Sequence, residues 1–181
     1  MNLFTNIFLM IVSPTVGWER INKLSIPPKM LQSQVLFPTL ALLALTSMLQ
    51  IFFADTTLTM ALVQAIIAFA AYFFTFYISS IVMNFYSPGE TQEAKDRMDN
   101  LLMFALEYLI ILNILSNLLP SDFPILKFLQ LYVVFIIYRG LGYVNYNEKP
   151  WVFITIATVS LLATPIIIKL EKLLVIKSII T

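Results

Sequence analysis

The 181-residue chain contains neither cysteine nor histidine, and it has four glycines. Without thiolate or imidazole groups it cannot build a Cys- or His-based zinc site, ligate haem through histidine, or complete a Ser-His or Cys-His pair. So few glycines also exclude a glycine-rich phosphate loop. The sequence therefore predicts no metal, no cofactor and no catalytic residue, and we do not expect an enzyme.

Charged residues are scarce as well. They make up 12% of the chain, and 60% of the residues are hydrophobic. An ordinary soluble domain carries about 25% charged residues. Because so little polar surface cannot coat a water-soluble globule, lipid is the expected solvent. The net charge of +1 creates no field that would favour nucleic acid.

Long apolar runs fill most of the chain. A helix needs roughly 20 apolar residues to cross the hydrocarbon layer of a membrane. Five runs meet or approach this length, at 35–54, 58–83, 101–119, 125–143 and 151–168. They are apolar on every face and about twice as long as the strands of a membrane barrel. We therefore predict an all-α bundle of five transmembrane helices that forms one domain over 35–181. Pro38 and Pro165 are expected to kink the first and fifth helices, or Pro165 to end the fifth.

Residues 1–34 form an N-terminal segment before the first span. Apolar side chains at positions 3, 4, 7, 8 and 11 fall on one face of a helix. The helix over 3–12 is amphipathic and either lies in the cytoplasmic membrane interface or packs against the bundle. Trp18 and Trp151 stand at the edges of apolar runs, where amphipathic rings anchor a chain at the interface.

The lysines and arginines indicate the orientation of the bundle. With five spans, the N-terminal side collects Arg20, Lys23, Lys29, Lys95, Arg97, Arg139 and Lys149. The other side collects Lys127, Lys169, Lys172 and Lys177. Because positive charge is in excess on the cytoplasmic side of membrane proteins, the N-terminus is predicted to lie in the cytoplasm.

Two ionisable residues, Glu107 and Arg139, lie well inside the predicted spans, where a charge is costly and therefore a functional candidate. Glu107 and Arg139 are expected at the same depth on neighbouring antiparallel helices, so we predict that they pair directly or through water. The pair either locks two helices together or forms a polar vestibule or a proton-linked step. Asn113 and Asn117 extend this polar cluster, through interhelical amide bonds or as the lining of a substrate path.

Small residues recur at steps of three and four along the second span. This stripe comprises Ala61, Ala65, Ala68, Tyr72, Thr75 and Ser79. Small side chains let helices approach closely, so we expect the stripe to be buried within the bundle or against a second copy of the chain. The polar stretch 91–100 that follows this span is expected to be a solvated helix extension rather than a docking site.

Three short motifs resemble those of small bacterial Yip1-domain membrane proteins. The segment SPTVGWERI at 13–21 is similar to the Pro-x-x-x-Trp opening of that family, which precedes the first span. The segment NFYSP at 84–88, with its polar loop, stands where the family has its own loop. The segment YRGLG at 138–142 resembles the junction between the fourth and fifth spans. Where the family often has a proline in its third span, this chain has Glu107-Tyr108.

The resemblance implies five spans, a cytoplasmic N-terminus and a multi-pass location in the bacterial inner membrane. Eukaryotic relatives act in vesicle traffic and membrane shaping, and they contact small GTPases through a long cytosolic N-terminal region. With about 34 residues before the first span, this chain is not expected to bind a GTPase. The family supplies no catalytic residue to look for.

We therefore expect a non-enzymatic membrane protein of Yip1-like type that organises the membrane or interacts with other membrane proteins. The lipid bilayer and further copies of the chain are its expected partners. The alternative is a small transporter or channel with a polar intramembrane path around Glu107 and Arg139. A lipid-modifying enzyme is a third hypothesis, although no spacing of Tyr, Ser and Glu107 selects a nucleophile and its base.

Overall fold

The computed structural model describes residues 3–52, 57–86, 91–119, 124–146 and 149–164, which form helices and short connections and contain no strand. The helices are α1 Leu3–Val12, α2 Pro14–Leu24, α3 Pro28–Leu31, α4 Phe37–Met48, α5 Leu58–Tyr86, α6 Gln92–Leu118, α7 Pro124–Leu129, α8 Tyr132–Val144 and α9 Pro150–Thr164. A π-helical turn, Gln32–Leu36, joins α3 to α4, and a 3₁₀ turn, Leu49–Phe52, follows α4. The all-α prediction is confirmed for the described residues.

Three helical segments are long and apolar enough to cross a membrane. They are α5, α6 and the continuous helix Pro28–Met48, which combines α3, the π turn and α4. The helices α8 and α9 are apolar but shorter. At 1.5 Å per residue, the 13 residues of α8 cover about 20 Å of a hydrocarbon layer of about 30 Å. Pro165 and the end of the fifth predicted run lie outside the described residues.

The fourth predicted helix, 125–143, consists of two helices, α7 and α8. In the turn between them, the Val133 N–H donates to the carbonyl of Gln130, three residues back, at 3.2 Å. The carbonyl of Leu129, which a regular helix would pair with Val133, accepts the hydroxyl of Tyr108 at 2.6 Å. A hydrogen bond from α6 therefore stabilises the break, since it satisfies the carbonyl that the turn leaves open.

The third predicted span, 101–119, is part of a longer helix. Thr91 caps α6 by accepting a hydrogen bond from the N–H of Ala94 at 3.2 Å, and the helix starts at Gln92. The polar stretch 91–100 therefore forms the first turns of α6, as a helix extension. From there α6 continues without a break through Glu107 to Leu118.

The central helix of the bundle is α6, which packs against α4, α5 and α8. The α4 helix runs parallel to it, because Thr39 and Ser47 of α4 bond to Glu107 and Asn117 of α6 in the same order. The α5 helix runs antiparallel to α6. Successive long helices therefore alternate in direction, as their short connections require.

The helices α1 and α2 pack against this bundle. The α1 helix contacts α6 and the π turn, and α2 contacts α8. Ile7 and Met10 of α1 lie in one hydrophobic core with Trp18 and Ile21 of α2 and with the long helices. One face of the helix over 3–12 thus packs against the bundle, and residues 3–34 share a core with the rest of the described chain.

Candidate functional site

Glu107 is the most unusual polar residue in the described part of the chain. It lies in α6, and its side chain is 0% exposed. The hydroxyl of Thr39 donates to its Oε1 at 2.9 Å, whereas its Oε2 has no hydrogen-bond partner among the described residues. A buried polar atom without a partner costs free energy. This carboxyl group is therefore the strongest candidate for a functional residue.

The partner of Glu107 lies beside an irregular part of α4. Pro38 has no N–H, and the helix accommodates it through the π turn, in which the Phe37 N–H bonds to the Gln32 carbonyl five residues back. The kink expected at Pro38 therefore takes the form of a π turn inside a continuous helix. Thr39 follows directly, so the turn positions its hydroxyl against α6.

The Thr39 hydroxyl has more acceptors than it can serve. Besides Glu107 Oε1, the carbonyl oxygens of Val35 and Leu36 both lie 3.0 Å from Thr39 Oγ1. A hydroxyl has one hydrogen to donate and two lone pairs that accept. The site can therefore exchange the direction of its hydrogen bond, with Glu107 as acceptor when ionised or as donor when protonated.

Arg139 does not pair with Glu107. It is exposed on α8, with its guanidinium carbon 5.0 Å from the ring centre of Phe135 and 5.7 Å from that of Tyr138. The ion pair that forms among the described residues is a different one, between Arg97 and Glu93 at 2.6 Å. As a direct contact, the predicted pair is wrong.

The register of α6 and α8 explains why the pair does not form. A Cβ on Gly140, the neighbour of Arg139, would lie 2.7 Å from Leu101 of α6. Leu101 precedes Glu107 by six residues, or about 9 Å along the helix axis. Since Gly140 faces α6, Arg139 is turned about 100° away from that contact. Arg139 therefore lies near the level of Leu101 along α6 and not beside Glu107.

Asn113 and Asn117 face two different helices. Asn117 Nδ2 donates to Ser47 Oγ of α4 at 3.0 Å, and Asn113 Nδ2 donates to the Tyr72 hydroxyl of α5 at 3.3 Å. Both residues therefore make interhelical amide bonds, the first of the two roles considered. The predicted polar cluster is not one cluster: Glu107 and Asn117 face α4, Asn113 faces α5, and Arg139 is exposed.

The stripe of small residues on α5 faces the interior of the chain. All six of its members are buried, and they are Ala61, Ala65, Ala68, Tyr72, Thr75 and Ser79. The helix packs against both α4 and α6. The hydroxyls of Thr75 and Thr164 also bond to each other, which joins α5 to α9. The stripe is thus used for contacts within one chain.

The two tryptophans have opposite environments. Trp18 is 4% exposed, stacks on Tyr143 with a centroid distance of 5.1 Å, and donates from Nε1 to the carbonyl of Ile136 at 3.0 Å. It therefore belongs to the core and does not lie on the surface, where an interface anchor would be. Trp151 is 73% exposed and stacks on Tyr138, so for this residue the interface role stays a prediction.

Two buried asparagines are not singled out by the sequence. Asn6 of α1 is 1% exposed, and neither of its amide atoms has a partner among the described residues. The sequence does place Asn6 four residues before the apolar Met10, on the same face of a helix, and this spacing could have indicated its burial. Asn100 donates to the Ile26 carbonyl at 2.7 Å and so fixes the connection after α2 to α6. No pattern distinguishes Asn100 within the polar stretch 91–100.

The coupling between Thr39 and Glu107 can be measured directly. A double-mutant cycle with Thr39→Val and Glu107→Met is expected to give about 0.6 kcal/mol, the average for hydrogen bonds between membrane helices, and at most about 1.7 kcal/mol. Unfolding in mixed micelles, followed by circular dichroism, supplies the four free energies. A matched cycle that replaces Thr39 and Glu93 should give no coupling, because Glu93 bonds to Arg97 instead. Equal values in both cycles would contradict the assignment.

Comparison of the chain with protein-family models, with curated proteins and with solved structures finds no match.

Proposed function

We propose that the protein is a non-enzymatic integral membrane protein of Yip1-like type that organises the membrane or holds other membrane proteins. In this proposal its partners are the lipid bilayer and other copies of the chain. The outward face of α5, where Ile66, Phe74 and Ile78 are exposed, is available for self-association. Catalysis has no part in the proposal.

The observation that supports this proposal most is the use of the polar side chains inside the bundle. Glu107 accepts from Thr39, Asn117 donates to Ser47, and Asn113 donates to Tyr72. Each of these bonds joins two helices and satisfies groups that lipid cannot. Because these three side chains hold helices together, a structural role accounts for them without a substrate.

The proposal includes a five-span topology. The helix Pro28–Met48, α5 and α6 supply three spans, α7 and α8 together supply the fourth, and α9 with the apolar residues after it supplies the fifth. The N-terminus lies in the cytoplasm of a bacterial cell, and the bundle lies in the inner membrane. Phe8 and Val12 of α1 are exposed and would enter the interface, while the opposite face of α1 packs on α6.

A small transporter is the second candidate, and one specific observation favours it. The Oε2 atom of Glu107 is buried, has no partner within the described part of the chain and lies beside a π turn, and π turns occur frequently at functional sites. A carboxyl group that can either donate to or accept from Thr39 is suited to a proton-linked step. Arg139 has no place in such a path, since it is exposed and does not contact Glu107.

Reconstitution into liposomes separates the two candidates. The parent chain, Glu107→Gln and the control Glu93→Gln are compared, because Glu93 is an exposed carboxylate on the same helix. Proton and potassium flux are measured, together with vesicle diameter by cryo-electron microscopy at rising protein-to-lipid ratios. We expect no flux above empty vesicles for any chain and a change in vesicle diameter with all three.

One result would contradict the leading proposal, and a second would exclude one of its two roles. Flux through the parent that Glu107→Gln abolishes and Glu93→Gln leaves intact, with circular dichroism unchanged, would identify a transporter. Vesicles that neither conduct nor change in diameter would exclude a membrane-shaping role.

A further inference from the structure

A groove between α8 and α9 runs along the outside of the bundle. Its volume is about 380 Å³, and its lining includes Leu131, Phe135, Tyr138, Trp151 and Ile154. The side chains that line it are aliphatic or aromatic. A groove of this composition is suited to hydrocarbon and offers almost no hydrogen bonds to a polar ligand.

A cation lies beside this apolar groove. The guanidinium of Arg139 is above the rings of Phe135 and Tyr138, at 5.0 and 5.7 Å from their centres, and both rings line the groove. No carboxylate of the described residues forms an ion pair with it. Because stacking on aromatic rings leaves the five N–H groups of arginine able to donate, Arg139 can still bind an anion.

The charged part of the groove is near one end of α8. Arg139 precedes the end of that helix, Val144, by five residues, or about 8 Å, which an extended arginine side chain can cover. Tyr138 stacks on Trp151 at 6.3 Å, and these two residue types prefer the membrane interface. From Tyr138 the groove continues to Leu131, about 10 Å further along the helix and deeper into the apolar region.

We propose that this groove binds an acyl chain of an anionic glycerophospholipid and that Arg139 holds its phosphate. The guanidinium matches a phosphate group in geometry and can bond to it through two N–H groups. The positive charge of Arg139, which no carboxylate of the described residues pairs with, favours an anionic head group over a zwitterionic one. The inference rests on the membrane placement proposed above, but not on the choice between a structural protein and a transporter.

The two tryptophans allow a direct test. Trp151 lines the groove, whereas Trp18 is buried in the core. Bromine atoms on acyl chains quench indole fluorescence on contact, so the full-length chain is reconstituted with either brominated phosphatidylglycerol or brominated phosphatidylcholine. The ratio of the two quenching efficiencies reports the preference of the groove for the anionic lipid. Trp151→Phe supplies the background from Trp18.

We expect the parent to prefer phosphatidylglycerol roughly fivefold, the size of effect associated with one cation at a membrane surface. Arg139→Gln should reduce the ratio to about one, and Arg139→Lys should retain part of it. Lys29→Gln is the matched control, because Lys29 is exposed on α3, which packs on α6. In the parent itself, 1 M salt should also lower the ratio, since the Debye length falls to about 3 Å.

The possible failures are distinguishable. Equal quenching by the two lipids would overturn the inference and leave the membrane placement intact. A preference that persists in Arg139→Gln, or in the parent at 1 M salt, would show that Arg139 does not hold the phosphate and would also overturn it. Absence of quenching by either lipid would contradict both this inference and the membrane placement on which it rests.

Discussion

Replacing Trp18 with alanine is expected to lower the free energy of unfolding by about 3–5 kcal/mol, the usual loss when a large buried aromatic side chain is removed. The indole contacts the ring of Tyr143 face to face and meets Phe104 edge-on. Its Nε1 also bonds to Ile136 on α8. Alanine would remove all three interactions and leave a cavity where α2, α6 and α8 meet. Denaturant unfolding in mild detergent, followed by far-ultraviolet circular dichroism, measures the difference.

Trp151→Ala is the matched control for this experiment, because it makes the same chemical change at a residue that is 73% exposed. A surface substitution of this kind should change the free energy of unfolding by about 0.5 kcal/mol or less. Similar losses for the two substitutions would show that Trp18 does not hold α2 against α8 in the way the structure indicates.

The contrast between these tryptophans shows what a sequence pattern can and cannot predict. Both stand at the edge of an apolar run, and the pattern therefore assigns them the same interface role. The burial of Trp18 depends on Ile136, which is 118 residues away in the chain, and on the small residue Gly140 beside it. No local pattern contains that information, because it arises only when α2 packs against α8.

The long helices could be predicted because their signal is local. A continuous apolar run reflects the solvent around a helix, and α5 and α6 were both expected from hydropathy. The break between α7 and α8 could not be predicted in this way. It contains no proline or glycine, and its open carbonyl at Leu129 is satisfied by Tyr108 from another helix.

Three of the four members of the predicted polar cluster bond to neighbouring helices, but Arg139 does not belong with them and the arrangement differs from the prediction. Glu107, Asn113 and Asn117 all bond to neighbouring helices, as buried polar side chains must. Which helix each one meets depends on the rotation and the register of α6. Because Gly140 and not Arg139 faces α6, at the level of Leu101, Arg139 does not reach Glu107.

Gly140→Ala is expected to destabilise the protein by about 1–3 kcal/mol, the usual effect of adding a methyl group to a packed core. A Cβ at this position would lie 2.9 Å from two ring atoms of Trp18 and 2.7 Å from Leu101 Cδ1. The leucine methyl can move aside. The indole cannot, because a hydrogen bond and a stacked ring hold it in place. Thermal unfolding in detergent measures the loss.

A second glycine of α8, Gly142, provides a control, because its replacement by alanine should stabilise the protein. A Cβ on Gly142 would meet nothing within 4 Å, so Gly142→Ala should gain the helix propensity of alanine, up to about 1 kcal/mol.

Trp18→Phe provides the second test, because phenylalanine lacks the ring atoms that the new methyl group would strike. Gly140→Ala should therefore be less destabilising in the Trp18→Phe background than in the parent. If its effect is the same in both backgrounds, the indole does not limit the approach of α8, and the contact between Trp18 and Gly140 does not set the distance between α2 and α8.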